Sequence, residues 1–306
     1  MAYINVFRLL YKRDSNFYYY LVQKNTLFCT KDIILLHKDS QFFQEEISKM
    51  LFYNDSCNFF IEELKALNPN IIMIYYNYDS FKNNPNARSI LKYFDKKFSF
   101  DKKDAIEYKI NFRPLFFSNE YDEIRNFQAN SQFESMFIGT AHTDRYLISE
   151  KVKSWCDSNN FRSFAYYYSP SKYVFHFKRI FDKTFKKFDI KKISFRSLEH
   201  AEIIELYKKS KAVLDINHPF QTGLTMRTFE ALGAGRKLIT TNAQVMDYPF
   251  FDPENILVID RNNIVLNSAF FQTNFKAISN ETLFLMSLDG WIDCLFNKEQ
   301  DEYWLQ

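Results

Sequence analysis

The stretch KAVLDINHPFQTGLTMRTFEALGAGRKLITTN, Lys211–Asn242, decides the fold. Its apolar run Ala212–Ile216 reads as a buried strand. A polar loop with one glycine, Gly223, follows. After it come an amphipathic helix over Leu224–Leu232, a Gly-Ala-Gly turn and a second strand, Lys237–Thr241. Strand, loop, helix and strand make a βαβ unit whose loop lies at the carboxyl end of the first strand. The first N–H groups of that helix have no intrahelical acceptor and point into the loop, so an anion fits there.

The same alternation extends on either side. Ser135–Ile138, Ser163–Tyr168, Lys192–Phe195 and Ile256–Ile259 read as further strands. Helical patterns separate them over Asp144–Asn159, Ser171–Phe188 and Glu199–Ser210, and a last helix is read over Glu281–Phe296. Nearer the start, Asn70–Tyr76 (NIIMIYY) and Lys97–Phe100 read as strands, and Gln41–Leu67, Ala87–Tyr93 and Asp101–Tyr108 as helical. Regular alternation implies parallel sheets covered on both faces. The polar run Asn119–Gln132 is the best linker. The expected architecture is α/β: two halves, 1–125 and 126–306, with a ligand cleft between them. The last helix, about 281–296, is expected to pack back toward the first domain.

Composition narrows the class. The chain has 306 residues, 25% of them charged, with a net charge of only +3, which argues against a dedicated nucleic-acid binder. A hydrophobic fraction of 46% argues against disorder. The 35 Phe and 20 Tyr share A/T-rich codons with the lysines, asparagines and isoleucines, so no single aromatic is taken as a functional signal. Cys29, Cys57, Cys156 and Cys294 are far apart and read as free thiols in a reducing compartment. His176, His200 and His218 lack ligand spacing, so no metal site is expected. With no signal-peptide pattern and no run near the roughly 20 apolar residues of a membrane span, the expectation is a cytoplasmic protein.

Around Gly223 crowd Asp215, Asn217, His218, Gln221, Thr222 and Thr225. Gly223 allows positive φ or close ligand approach. The N–H groups of Leu224 and Thr225 are placed to hold a phosphate, with the Thr225 hydroxyl as a further donor; a plain Asx/Gly turn is the alternative. Arg227 and Glu230 share a helix face, suited to a phosphate and to a ribose diol, or to a surface ion pair with each other. Gly139-Thr140-Ala141-His142-Thr143-Asp144-Arg145 follows a strand. Gly139 permits a tight turn, Thr143 or Asp144 is placed to cap the next helix, and His142 and Arg145 fall near the expected cleft, Arg145 being otherwise a solvated helix residue. Asp79, just after the NIIMIYY strand, is a candidate base for an acceptor hydroxyl or else a turn-capping residue. His37 and Asp32 are weaker rivals. Phe177, Phe181, Phe185 and Phe188 form one helical stripe beside Lys178, Arg179, Lys183, Lys186 and Lys187. That stripe reads as core, or as a basic amphipathic helix lying on an anionic membrane.

The run GLTMRTFEALGAGRKLITTN resembles the donor-nucleotide motif of GT-B glycosyltransferases, in particular bacterial enzymes of lipopolysaccharide and capsule assembly and the related spore-maturation-type glycosyltransferases. Phe94–Phe117, Phe137–Tyr146 and Ile256–Arg261 fit the same group. The resemblance implies two Rossmann-like domains, 1–125 on the acceptor side and 126–306 binding the donor. It also implies sugar transfer from a nucleotide-sugar donor to a lipid-linked or oligosaccharide acceptor of a surface glycan, with His142 and Arg145 neutralising the leaving diphosphate. It implies no cofactor and no metal, peripheral contact with the cytoplasmic face of the inner membrane, and no nucleic-acid partner. Glu230 matches the family's ribose-binding glutamate. Many retaining members carry a further Glu where this chain has Thr222, so inverting and retaining outcomes both stay open. A nucleotide-sugar epimerase or hydrolase, and a non-catalytic nucleotide-sugar-binding module, are the alternatives on the same plan; a CMP-linked acidic sugar is an alternative donor.

Overall fold

The computed structural model describes residues 20–23, 32–36, 72–82, 85–127, 131–141, 144–219, 221–298 and 300–305. The helical pattern at 41–67, His37, Cys29, Cys57, His142 and Thr143 lie outside them. The chain divides into two compact units, Met1–Leu115 with Trp291–Gln306, and Phe116–Gly290. The division therefore falls ahead of the polar run 119–132. Part of that run is a helix, Asn119–Glu123, whose Tyr121 is buried, as is Ile124 just beyond it. Two apolar side chains among many polar ones suffice to anchor a short helix, and that is what polarity alone hides.

In the first unit the strands β1 (Tyr20–Gln23), β2 (Asp32–Leu36), β3 (Met73–Asn77), β4 (Lys96–Ser99) and β5 (Asn111–Phe112) pair in chain order. β3, β4 and β5 are parallel, while β1–β2 and β2–β3 are antiparallel. All five β3 residues are buried, which is why Met73–Tyr76 is an apolar run instead of an alternating one. Helix α1 (Lys102–Tyr108) starts where the Asp101 carboxylate accepts from the Lys103 amide at 2.9 Å. The closing segment is woven into this unit: Trp291 packs edge-on to Tyr76, and the buried Arg113 guanidinium lies 5.1 Å from the Trp304 ring.

The second unit carries a six-stranded sheet, ordered β11-β10-β9-β6-β7-β8. Its strands are β6 (Phe133–Thr140), β7 (Ser163–Tyr168), β8 (Ile193–Ser194), β9 (Ser210–Asp215), β10 (Lys237–Thr240) and β11 (Ile256–Val258). Every neighbouring pair is parallel. The register sets Met136 beside Val213, Val213 beside Leu238 and Leu238 beside Ile256. The chain runs outward from β6 through β7 to β8, returns to the other side of β6 as β9, and continues to β11. This is the doubly wound order, with its reversal between β6 and β9. Right-handed crossovers carry the intervening helices to opposite faces on the two sides of that reversal.

The helices are α2 (Asn119–Glu123), α3 (Arg145–Ser158), α4 (Lys172–Phe181), α5 (Lys183–Lys186), α6 (His200–Lys208), α7 (Met226–Gly233), α8 (Ser268–Gln272), α9 (Asn280–Met286) and α10 (Leu288–Phe296). Two of them correct the sequence reading. The helix read over 171–188 breaks at Asp182, whose extended backbone and carboxylate cap α5 through the Thr184 amide at 2.7 Å. The break turns Phe185 and Phe188 into the core and leaves Phe177 and Phe181 exposed, so the four do not share one fate. The helix read over 281–296 is interrupted at Ser287, which pairs with Phe117 in an isolated parallel bridge. The aromatic wealth is spent on packing: Tyr146 sits between Tyr167 and Phe188, and Phe271 contacts both Trp155 and Phe161.

The Gly-Ala-Gly turn divides its labour. Gly235 has φ +65° and ends α7: its amide bonds Leu232 O, and the Arg236 amide bonds Ala231 O, the paired bonds of a left-handed helix stop. Gly233 is still helical. A Cβ there would lie 2.5–2.8 Å from the Phe117 ring, so its bareness serves close packing.

Candidate functional site

The site is built at the carboxyl ends of β6, β9 and β11, within the second unit. Asp215 ends β9 and is buried. Its Oδ2 accepts from Thr225 Oγ1 at 2.7 Å and from Thr228 Oγ1 at 3.1 Å, fastening the first turn of α7 to the strand. Thr225 is the N-cap residue, yet its hydroxyl makes no capping bond. Its proton goes to Asp215, so Thr225 does not offer the spare hydroxyl donor that the sequence suggested.

The loop between is held through its carbonyls. Gln221 O accepts from Asn217 Nδ2 at 2.9 Å, and Gly223 O from Gln221 Nε2 at 3.0 Å. Asn242 Nδ2 donates to Thr222 O at 3.2 Å and to Gly223 O at 3.3 Å. His218 O accepts from the Gln221 amide at 2.9 Å, and the buried Leu224 side chain pins the loop to the core. Among the described residues the amides of Leu224, Thr225, Met226 and Arg227 make no hydrogen bond. Such amides form the positive end of a helix. Positive φ belongs to Gly235 alone of the described glycines, so a left-handed backbone is not the reason for Gly223. Nor does Gly139 make a turn: it lies inside β6, where a Cβ would strike the Phe137 ring at 2.6 Å.

Three guanidinium groups surround this helix start. Arg145 opens α3; its Nη1 donates to Thr140 Oγ1 at 3.3 Å, and its buried Nε has no hydrogen-bond partner among the described residues. Burial lowers its pKa, and Arg227 and Arg261 act in the same sense, with Asp215 and Asp144 opposing. Arg261 lies just past β11. Its Nη1 donates to both carboxylate oxygens of Asp144, at 3.0 and 2.8 Å, and its Nη2 donates to the backbone and side-chain oxygens of Asn217. Arg261 thus joins the segment after β6 to the loop after β9. Asp144, at the N-cap position of α3, makes no cap bond because its carboxylate faces Arg261. The sequence reading passed over Arg261; a cation just past a parallel strand's carboxyl end is the signal that marks it.

Arg227 and Glu230 project from α7, and both are half-buried. Burial works against the Arg227 charge, but Tyr207, Asp215 and Glu230 outweigh it and hold the pKa above its ordinary value. Burial pushes the Glu230 carboxyl up, against the pull of Arg227 and of the Tyr207 hydroxyl, which donates to Glu230 Oε2 at 3.3 Å. No salt bridge joins Arg227 to Glu230 among the described residues, so the surface-ion-pair reading fails. Tyr121 packs edge-on against both Tyr207 and His200, completing an aromatic wall beside Glu230. That wall is invisible in the sequence, because its members come from α2 and α6, about 80 residues apart in the chain.

The structure thus brings Arg145, His218, Gln221, Thr222, Gly223, Leu224, Thr225, Arg227 and Glu230 to one sheet edge or the helix beside it. Asp79 belongs to the first unit, where its Oδ1 accepts from the Ser80 amide at 2.8 Å and its own amide donates to Asn77 Oδ1, a turn-capping arrangement. Among the described residues no group of three or more His, Cys, Asp or Glu side chains is placed to hold a metal ion. None of the described helices is long and apolar enough to cross a membrane.

Residues 180–274 match the sequence profile of a family described as glycosyl transferase-like. That region takes in the loop, the helix α7 and Arg261. A search of curated proteins gives no match. Solved structures similar to the chain include an α-glucosyltransferase in complex with UDP and a 13-mer DNA containing a central A:G mismatch. It shows 13% identity and a TM-score of 0.48, over 79% of this chain and 71% of that one. Another is the apo form of the lipopolysaccharide outer core galactosyltransferase WaaB. Its identity is 13% and its TM-score 0.35, over 73% of this chain and 64% of that one.

Proposed function

We propose that the protein is a metal-independent glycosyltransferase of the GT-B type, moving a sugar from a nucleoside-diphosphate donor to a surface-glycan acceptor of the lipopolysaccharide or capsule kind. The observation that carries this reading is the cluster of Arg145, Arg227 and Arg261 around the unbonded amides at the start of α7. The three cations meet the carboxylates of Asp144, Asp215 and Glu230, so it is the helix end, with its unbonded amides, that supplies the positive excess. A diphosphate fits that excess. The glycosyl transferase-like profile over residues 180–274 supports the same class.

Chemically, the bond between the sugar's anomeric carbon and the diphosphate oxygen breaks, and the electron pair leaves with the diphosphate. Arg145, Arg227 and the α7 amides neutralise that charge as it develops, which lowers the barrier. The acceptor hydroxyl oxygen forms the new bond to the anomeric carbon and gives up its proton to a carboxylate, for which Asp79 is the candidate, while His142 helps to neutralise the leaving diphosphate. Glu230, beside the Tyr121–Tyr207 wall, accepts the ribose hydroxyls. Asp215, Asp144 and Arg261 position the loop and do not touch the sugar.

The test is a thermal-shift panel of nucleotide sugars on the full chain, followed by product analysis with the best binder. A ligand that binds only the native state at about a hundred times its Kd adds about 2.7 kcal/mol of stability. The reading expects one nucleoside-diphosphate sugar to raise the melting temperature and Arg227→Met to cut that rise by about half or more. A panel with no rise, or release of free sugar or an epimer without any acceptor, contradicts it.

A further inference from the structure

We propose that helix α4, Lys172–Phe181, is a docking element for an anionic lipid surface. This inference stands apart from the transferase reading and does not need it.

A single side chain, Phe175, fixes the helix to the unit. It is fully buried and packs on Phe185 and Phe195. The opposite side is unusual for a soluble protein. Tyr173 is 89% exposed, Phe177 63%, Ile180 63%, Phe181 73% and Val174 50%. Their spacing puts all five in one arc of about 120° on the helix. These residues are neither scattered nor tucked into a crevice, and the Phe177 and Phe181 rings lie 4.9 Å apart in a tilted arrangement. A contiguous apolar patch of this kind marks a binding surface.

The charge around it selects the partner. Residues 172–192 hold eight of the chain's 40 basic residues and only two of its 37 acidic ones. The rest of the chain is therefore net negative by three, and the positive balance of the whole protein comes from this segment alone. Lys172, Lys178, Lys186, Lys187 and Lys191 are exposed, Lys178 flanking the apolar arc on the helix, and α4 itself contains no Asp or Glu. A second copy of the chain would bring an identical basic belt face to face with this one, and like charges oppose that pairing. A negatively charged lipid surface satisfies both features together: it takes the aromatic side chains into the interface and pairs headgroups with the lysines.

The experiment is co-sedimentation of the full chain with phosphatidylcholine vesicles and with vesicles in which roughly a third of the lipid is phosphatidylglycerol, alongside light scattering of the protein alone. The expected result is sedimentation with the anionic vesicles only, weakened by salt. Phe177→Ser with Phe181→Ser should weaken it by about tenfold or more. Because both side chains are exposed, the melting temperature of that variant should stay within about 2 °C of the parent. Lys186→Glu with Lys187→Glu should weaken binding too, through charge alone. No sedimentation with anionic vesicles, or undiminished sedimentation of the Phe variant, overturns the proposal. So does a stable dimer that the Phe variant dissociates, since the face would then be an interface between copies.

Discussion

Arg261 holds both carboxylate oxygens of Asp144 with one guanidinium nitrogen, at 3.0 and 2.8 Å, and with another it reaches the backbone and side-chain oxygens of Asn217. One side chain therefore sets the spacing between the segments on either side of the sheet's reversal. Arg261→Gln shortens the side chain and removes the charge. It should weaken binding of the preferred nucleotide sugar by tenfold or more and cost about 1–3 kcal/mol of stability. Arg261→Lys should fare little better, because an ammonium is not a planar fork. Calorimetric titration and thermal melts of the two variants check this; full rescue by Lys would show that charge alone matters.

Arg227 and Glu230 should separate by ligand. Arg227→Met is expected to weaken a nucleoside diphosphate by about tenfold to a hundredfold, the worth of one charge-assisted hydrogen bond or two. A nucleoside lacking phosphates should bind the variant and the parent alike. Glu230→Gln should weaken both ligands. Titration of each variant with the two ligands decides it, and equal losses for Arg227→Met on both would remove the phosphate assignment.

Asp104 gives a pH signature in the first unit. Burial, opposed by its bond to the Phe81 amide at 2.7 Å, pushes its pKa from 3.8 up to about 6. The folded state thus binds the proton more tightly than the unfolded one. Its stabilising effect is complete below pH 3.8 and is lost as pH rises through about 6. The loss is about 3 kcal/mol at most. Asp104→Asn keeps an acceptor for Phe81 and removes the titration. The melting temperature of the parent should fall relative to that variant between pH 4 and pH 7. Parallel curves would refute the assignment.

Cys156 and Cys294 are both buried, and burial pushes their thiols up to about 11 and about 12. At pH 8 both should resist iodoacetamide in the folded protein and react on denaturation, since the thiolate is the nucleophile. Peptide mapping after a short labelling pulse reads the two sites directly.

The sheet of the second unit was legible because its strands are apolar runs at regular intervals, and β7 was read to the residue, over Ser163–Tyr168. The start of α1 was legible for a local reason, the capping Asp101. What escaped was decided at long range. The helical pattern breaks at Ser287 because Phe117, far away in the chain, bonds the backbone on either side of it, Met286 O and the Leu288 amide. Asp182 breaks another because capping a second helix and burying Phe185 outweigh continuing the first. In the site, Arg145, Arg227 and Glu230 were readable from their places after strands and on one helix face. The roles of Asp215, Arg261 and Tyr207 were not, since each depends on a partner at least ten residues distant in the chain.

The contact between Gly233 and the Phe117 ring has a mechanical meaning. No side chain intervenes there, and the ring occupies the space that even a methyl group would need. The end of the rod bearing Arg227 and Glu230 rests on a flat stop, its other end tethered to the sheet by Asp215. Such a rod has little freedom to slide along its own length. Whatever adjustment accompanies the arrival and departure of a guest falls to side-chain rotation and to the peptide stretch ahead of the rod, and a graft of this part onto another scaffold must bring the ring along.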